Sequence, residues 1–171
     1  MTEKRSLLVH FLAALAYRTQ KALRGAPPEF AGFRAMKDVR TPAELLLHMT
    51  SVLGYSRTFF IGGNYWPEPL PTLAEEITRF HGMLDLLAQH LRNGDQLQNG
   101  ITEERLLQGP FADAMTHAGQ LAMLRRMAGA PVPPENFVDA KVNPEHLGPN
   151  QAEPASPDAH WPEAPPEWSG R

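Results

Sequence analysis

The segment Pro110-Phe-Ala-Asp-Ala-Met-Thr-His-Ala-Gly-Gln-Leu-Ala-Met-Leu-Arg-Arg-Met-Ala-Gly129 decides how the rest of the chain is read. Proline is favoured in the first turn of a helix and glycine just past its end, so the two residues bracket one helix of about five turns. At 3.6-residue spacing, Asp113, His117, Gln120, Leu124 and Met127 share one stripe, polar in its first half and apolar in its second. Read as the inward face of a bundle helix, that stripe is costly. A buried Asp loses several kcal/mol unless something pairs with it. Either a metal ion or a partner side chain has to meet it.

Working outward, the nearest match is a helix that opens at Thr41-Pro42-Ala43-Glu44, a capping box with proline at the first helical position. It runs to about Phe60 and stops at Gly62-Gly63. Its expected inward stripe is Glu44, His48, Val52, Tyr55 and Phe59, again polar first and apolar later. A second capping box, Thr72 to Glu75, starts a helix that presents Leu73, Ile77, Phe80, Leu84, Ala88 and Leu91 and ends near Asn93-Gly94. His81 and Asp85 fall at the edge of that stripe and read as a surface pair. Residues 2 to 24 form the first helix, with Leu8, Phe11, Leu12, Leu15, Thr19 and Ala22 on one face and His10 pointing away. Ile101 to Leu107 reads as one short turn before the Pro110 helix. The pattern predicts an all-α fold, a four-helix bundle over residues 1–130. For the polar first turns of helices two and four to meet at one bundle end, these two should be neighbours running parallel in an up-down-up-down order.

Composition bounds the partners. The chain has 171 residues and a net charge of −3, with Lys and Arg scattered along it, so no basic footprint for nucleic acid is present. There is no cysteine, which removes disulfides, thiolate metal sites and cysteine nucleophiles; thiol chemistry would need a cosubstrate. Residues 1 to 16 imitate a secretory signal, with Lys4, Arg5, an apolar run and Ala14-Leu15-Ala16. His10 interrupts that run and the helical pattern continues through Ala22, so an amphipathic first helix and a cytoplasmic setting are expected. No apolar run reaches the roughly 18 residues of a membrane span. Residues 131–171 are Pro-rich and read as an extended arm laid on the bundle or on a partner subunit. Phe137, Trp161 and Trp168 are its expected anchors. A homodimer is expected to use Met115, Ala122 and Met123 of helix four and Leu47 and Leu53 of helix two.

Residues 109–132, Gly-Pro-Phe-Ala-Asp-Ala-Met-Thr-His-Ala-Gly-Gln-Leu-Ala-Met-Leu-Arg-Arg-Met-Ala-Gly-Ala-Pro-Val, resemble the last bundle helix of the DinB-like (DinB/YfiT-like) superfamily. The segment Glu44-Leu-Leu-Leu-His48 resembles that family's second helix. The resemblance implies one divalent metal, frequently in a dimer, held by a histidine of helix two and a His-x-x-x-His pair of helix four. His48 and His117 match two of these positions. Asp113 stands where the middle histidine would be, and is the main departure. The activities the resemblance implies include thiol-dependent S-transfer and isomerisation; for this chain a metal-dependent hydrolase or thiol-dependent transferase acting on a small molecule is expected.

Two imidazoles and a carboxylate form a competent three-ligand set for zinc, iron(II) or nickel. Gln120, one turn below His117, could orient it, and Glu44 and Tyr55 would flank the set. The competing reading is an Asp113–His117 ion pair with His48 hydrogen-bonded nearby. The protein would then be a non-catalytic dimeric bundle with a structural cluster or a small-ligand site. It predicts a filled site with no cleft against the cluster.

Overall fold

The computed structural model describes residues 1–158, 160 and 161. Its long helices are α1 (Glu3–Leu23), α2 (Pro42–Ile61), α3 (Leu73–Asn93) and, after a short helix α4 (Glu103–Leu106), α5 (Ala112–Met127). No strand forms among the described residues; Glu135 and Pro157 make one isolated bridge. The start signals work as chemistry dictates. Thr41 and Thr72 each accept a backbone N–H while Glu44 and Glu75 reach back to the cap. Gly94, in the left-handed region at φ 78°, ends α3.

Each helix packs on two others: α1 on α3 and α5, and α2 on α3 and α5. The sequence neighbours α1 and α2 are therefore diagonal. Directions follow from the contacts at the ends. Gln98, just past α3, donates to the carbonyls of Phe59 and Phe60, so α2 and α3 end together. Arg5 at the start of α1 donates to Asp95 O at 2.9 Å, and Arg125 near the end of α5 donates to Ala22 O near the end of α1. Helices α1 and α5 run one way and α2 and α3 the other. The order is up-down-down-up, not the expected alternation. The 11-residue link between α2 and α3 can return along the bundle at ~3.3 Å per residue, and does so.

Tyr65 anchors that link by lying on α2 at Gly54, where a Cβ would come within 2.0 Å of its ring. Trp66, the next residue, is 84% exposed. The core is built from Leu12, Leu15, Leu46, Met49, Leu53, Phe80, Leu84, Leu87, Phe111 and Leu121, and Phe30 in a short 3-10 turn plugs one end. Leu53 belongs to this core and cannot serve a dimer face.

The arm lies on the α1–α3 seam of its own bundle. Tyr17 donates to Glu135 at 2.7 Å, Arg24 to the carbonyls of Gln151 and Ala152, and Arg92 to Pro144 O. Leu147 and Trp161 are buried, and Phe137 sits edge-on to Tyr17 beneath the Arg18 guanidinium. Trp168 lies outside the described residues.

Candidate metal centre

The outward-facing flanks of α2 and α5 create the site. The buried residues of α2 include Leu45, Leu46, Met49, Leu53 and Phe60, so the stripe Glu44, His48, Val52, Tyr55 and Phe59 is turned to the side. On α5 the buried residues are Ala114, Ala118, Leu121, Leu124 and Arg125, which turns Asp113, His117 and Gln120 to the same seam. Because α2 and α5 are antiparallel, the polar residues meet partway along the bundle rather than at its end. Leu45 shares a cleft with Gln120 and Leu124, and Val52 and Tyr55 share another with Pro110 and Asp113.

Pro110 does not start the helix. Thr102 caps α4, and the chain continues through a wide π turn, Leu107–Phe111, into α5. Proline has no N–H to donate and disfavours helical backbone in the residue before it. Gly109 accordingly leaves the helical region, at φ −95° and ψ −105°. The turn lies directly upstream of Asp113.

The three side chains converge. Ligand-capable atoms of His48, Asp113 and His117 all lie within 4.8 Å of one another. The two imidazoles meet edge to face with centroids 4.8 Å apart, and His117 Nε2 is 3.4 Å from Asp113 Oδ1. Tetrahedral ligands at 2.0–2.2 Å from an ion sit ~3.4 Å apart, so the Asp113–His117 pair already has that spacing. The His117 side chain is 12% exposed and Asp113 48%. His117 Nδ1 is 2.9 Å from Gln120 Oε1. With Nδ1–H donating to that oxygen, the Nε2 lone pair turns toward a carboxylate. Two lone pairs at that distance repel, so either a proton on Nε2 or a shared cation must lie between them. His48 is pushed below the usual histidine range by burial first, then by the positive charge of Arg40 and by His117, with Asp113 opposing. It is thereby kept neutral, the form a metal binds.

Of the flanking residues, Gln120 is in place. Glu44 is not: its carboxylate is spent on the Thr41 cap and on Arg34 at 3.0 and 3.2 Å, which together hold its pKa down. Tyr55 is exposed, edge-on to Phe59, and lines an open cleft of about 580 Å³ with Val52, Gly109, Asp113 and Thr116. A second cleft of about 380 Å³ adjoins Gln120. Open space therefore lies against both Asp113 and Gln120. Arg40 was not among the sequence-derived candidates; its only signal is its place directly before the Thr41-Pro42 cap.

The other histidines lie elsewhere. His10 is exposed, as its place on α1 requires. His90 stacks on Phe60 and meets Asp95 at 2.6 Å. His81 is no surface residue: the arm buries it, and its Nδ1 contacts Leu147 O at 2.6 Å.

Comparison of the chain with family models, with curated proteins and with solved structures returns no match. Among the described residues, His48, Asp113 and His117 are a group that could hold a metal ion. Among the described residues no helix is long and apolar enough to cross a membrane.

Proposed function

We propose that His48, Asp113 and His117 bind one divalent cation, and that the chain is a metal-dependent enzyme of the DinB-like kind, a hydrolase or a thiol-dependent transferase. The observation that carries this reading is the division of labour on His117. Gln120 engages one ring nitrogen, and the other converges with a carboxylate and a neutral imidazole. Such a partner on the second nitrogen is what fixes a metal-binding histidine. The resemblance of residues 109–132 and 44–48 supports the same set.

A divalent ion held by His48, Asp113 and His117 would supply Lewis-acid polarisation of a substrate oxygen. The chain's own groups do the rest. Gln120 fixes the His117 ring, burial with help from Arg40 disfavours protonation of His48, and half-exposed Asp113 opens the centre to the cleft lined by Tyr55. The homodimer of this reading rests on the resemblance and on the outer helix faces, and the cytoplasmic setting on the sequence of the first helix. Light scattering tests the first.

Protein purified without chelator should carry about one equivalent of zinc, nickel or iron, lost in His117→Ala. Gln120→Ala should weaken binding ~10–100-fold. Absence of metal on elemental analysis, together with no rise in melting temperature on adding any of the three ions, ends the metal reading. It would favour the non-catalytic alternative, whose support is the Asp113–His117 ion pair.

A further inference from the structure

The cleft beside Gln120 is lined by Met36, Val39, Leu45, Met123, Leu124 and Met127, with Arg40 among them. Met36, Val39, Met123 and Met127 are all exposed. Single exposed apolar residues are ordinary, but four gathered in one concavity mark a binding surface. Methionines suit it because they adapt to irregular ligands. The wall is held in place: Arg34 on the same connector donates to Val39 O and pairs with Glu44. Arg40, by contrast, makes no hydrogen bond or ion pair with any described residue.

We propose that this groove binds an organic anion with an apolar body, an acyl or aryl carboxylate whose head group meets Arg40 and whose body lies on the methionines. Charge decides the class, since an apolar trough with one unpaired guanidinium at hand matches an amphipathic anion better than a neutral lipid. Size decides the scale. About 380 Å³ suits a small molecule rather than a partner helix. Gln120 joins the groove to the His48–Asp113–His117 cluster, because it lines the one and holds the other. As a substrate subsite, the groove rests on the metal-centre reading.

The test uses the full chain, stripped with chelator and labelled with 13C at the methionine methyls. Octanoate should move the Met36, Met123 and Met127 signals at about tenfold lower concentration than octanol does, and Arg40→Gln should erase that difference. Met127→Gln, a change at an exposed site, should weaken both ligands. Equal titration by octanol and octanoate, or no movement at millimolar octanoate, overturns the proposal. Signals that shift on dilution alongside a change from dimer to monomer mass also overturn it, because a second copy of the chain would then occupy the groove. Since no metal is present, failure of the metal centre leaves this readout intact, and the two readings fail separately.

Discussion

The bundle has two opposite seams that began with similar material and ended differently. On the α1–α3 seam the arm closes over the polar groups and supplies partners for several of them, while His81 Nε2 stays buried without a hydrogen bond among the described residues. Tyr17 finds Glu135, His81 finds the Leu147 carbonyl, and Arg24 and Arg92 find backbone oxygens. The α2–α5 seam is walled at one end by the connector residues Met36, Val39 and Arg40 and keeps an open cleft on either side of the cluster. His48, Asp113 and His117 have only one another and Gln120, with open clefts to either side. A histidine on the first seam is structural because a carbonyl is dedicated to it. His117 on the second keeps ligand capacity because Gln120 engages one ring nitrogen and the other faces Asp113 beside an open cleft. Polar residues on a bundle flank reveal their use by what covers them.

The sharpest way to break this contrast is to remove the cover. Truncation after Val132 deletes Glu135, Leu147 and Trp161 and leaves the Tyr17 hydroxyl and the His81 ring without the partners described here. One buried Leu contributes ~2 kcal/mol and each lost buried hydrogen bond ~1 kcal/mol, so a loss of ~4 kcal/mol or more is expected. The melting temperature should fall by about 10 °C. Unchanged melting would show the arm to be passive.

Next in size is a pH effect that is largest on the covered seam. Burial pushes His81 down to about 4, from 6.5. The unfolded chain therefore binds a proton between those values that the folded chain refuses, and stability falls as pH drops through that window. The difference corresponds to ~3 kcal/mol at most. Chemical denaturation of the wild type and His81→Gln at pH 7 and pH 4.5 should show the gap between them narrowing at the lower pH. Parallel curves would mean that the buried ring is not what titrates.

The smallest effect sharpens the comparison from the other side. His48→Ala or His117→Gln, measured without metal, should change stability by less than ~1 kcal/mol, because each removes a half-open polar contact and leaves no sealed group orphaned. A cost like that expected for the arm would make the cluster a structural element after all.

The helices were legible because their ends are chemical. Two capping boxes, Gly62 and Gly94 set boundaries that hold to within a residue or two. The facing of α2 was not legible. Its sequence Leu45-Leu46-Leu47 through Phe59-Phe60-Ile61 is apolar on nearly every side, so no single stripe points to the core. The polar stripe taken for the inner face proved to be a flank. The three site residues could be named from their types and spacing, and they do meet. Their meeting place could not be read, since an 11-residue link permits either helix direction. Gly109-Pro110 was ambiguous for a related reason: the pair begins a helix in one context and widens a turn in another. Nothing local marks His81 as buried, because Leu147, which covers it, is 66 residues away.

The diagonal placement of α1 and α2 also bears on how the chain folds. Consecutive helices usually pair as a hairpin that can form early from local contacts, but here the first helix has to wait for α3 and α5. Closure depends on encounters across most of the chain, and during synthesis α1 and α2 emerge with their apolar faces unmatched. The arm, which follows all the helices in the chain, docks on a seam that exists only after α1 and α3 have met. Sealing one side of the molecule is therefore a late step in its assembly.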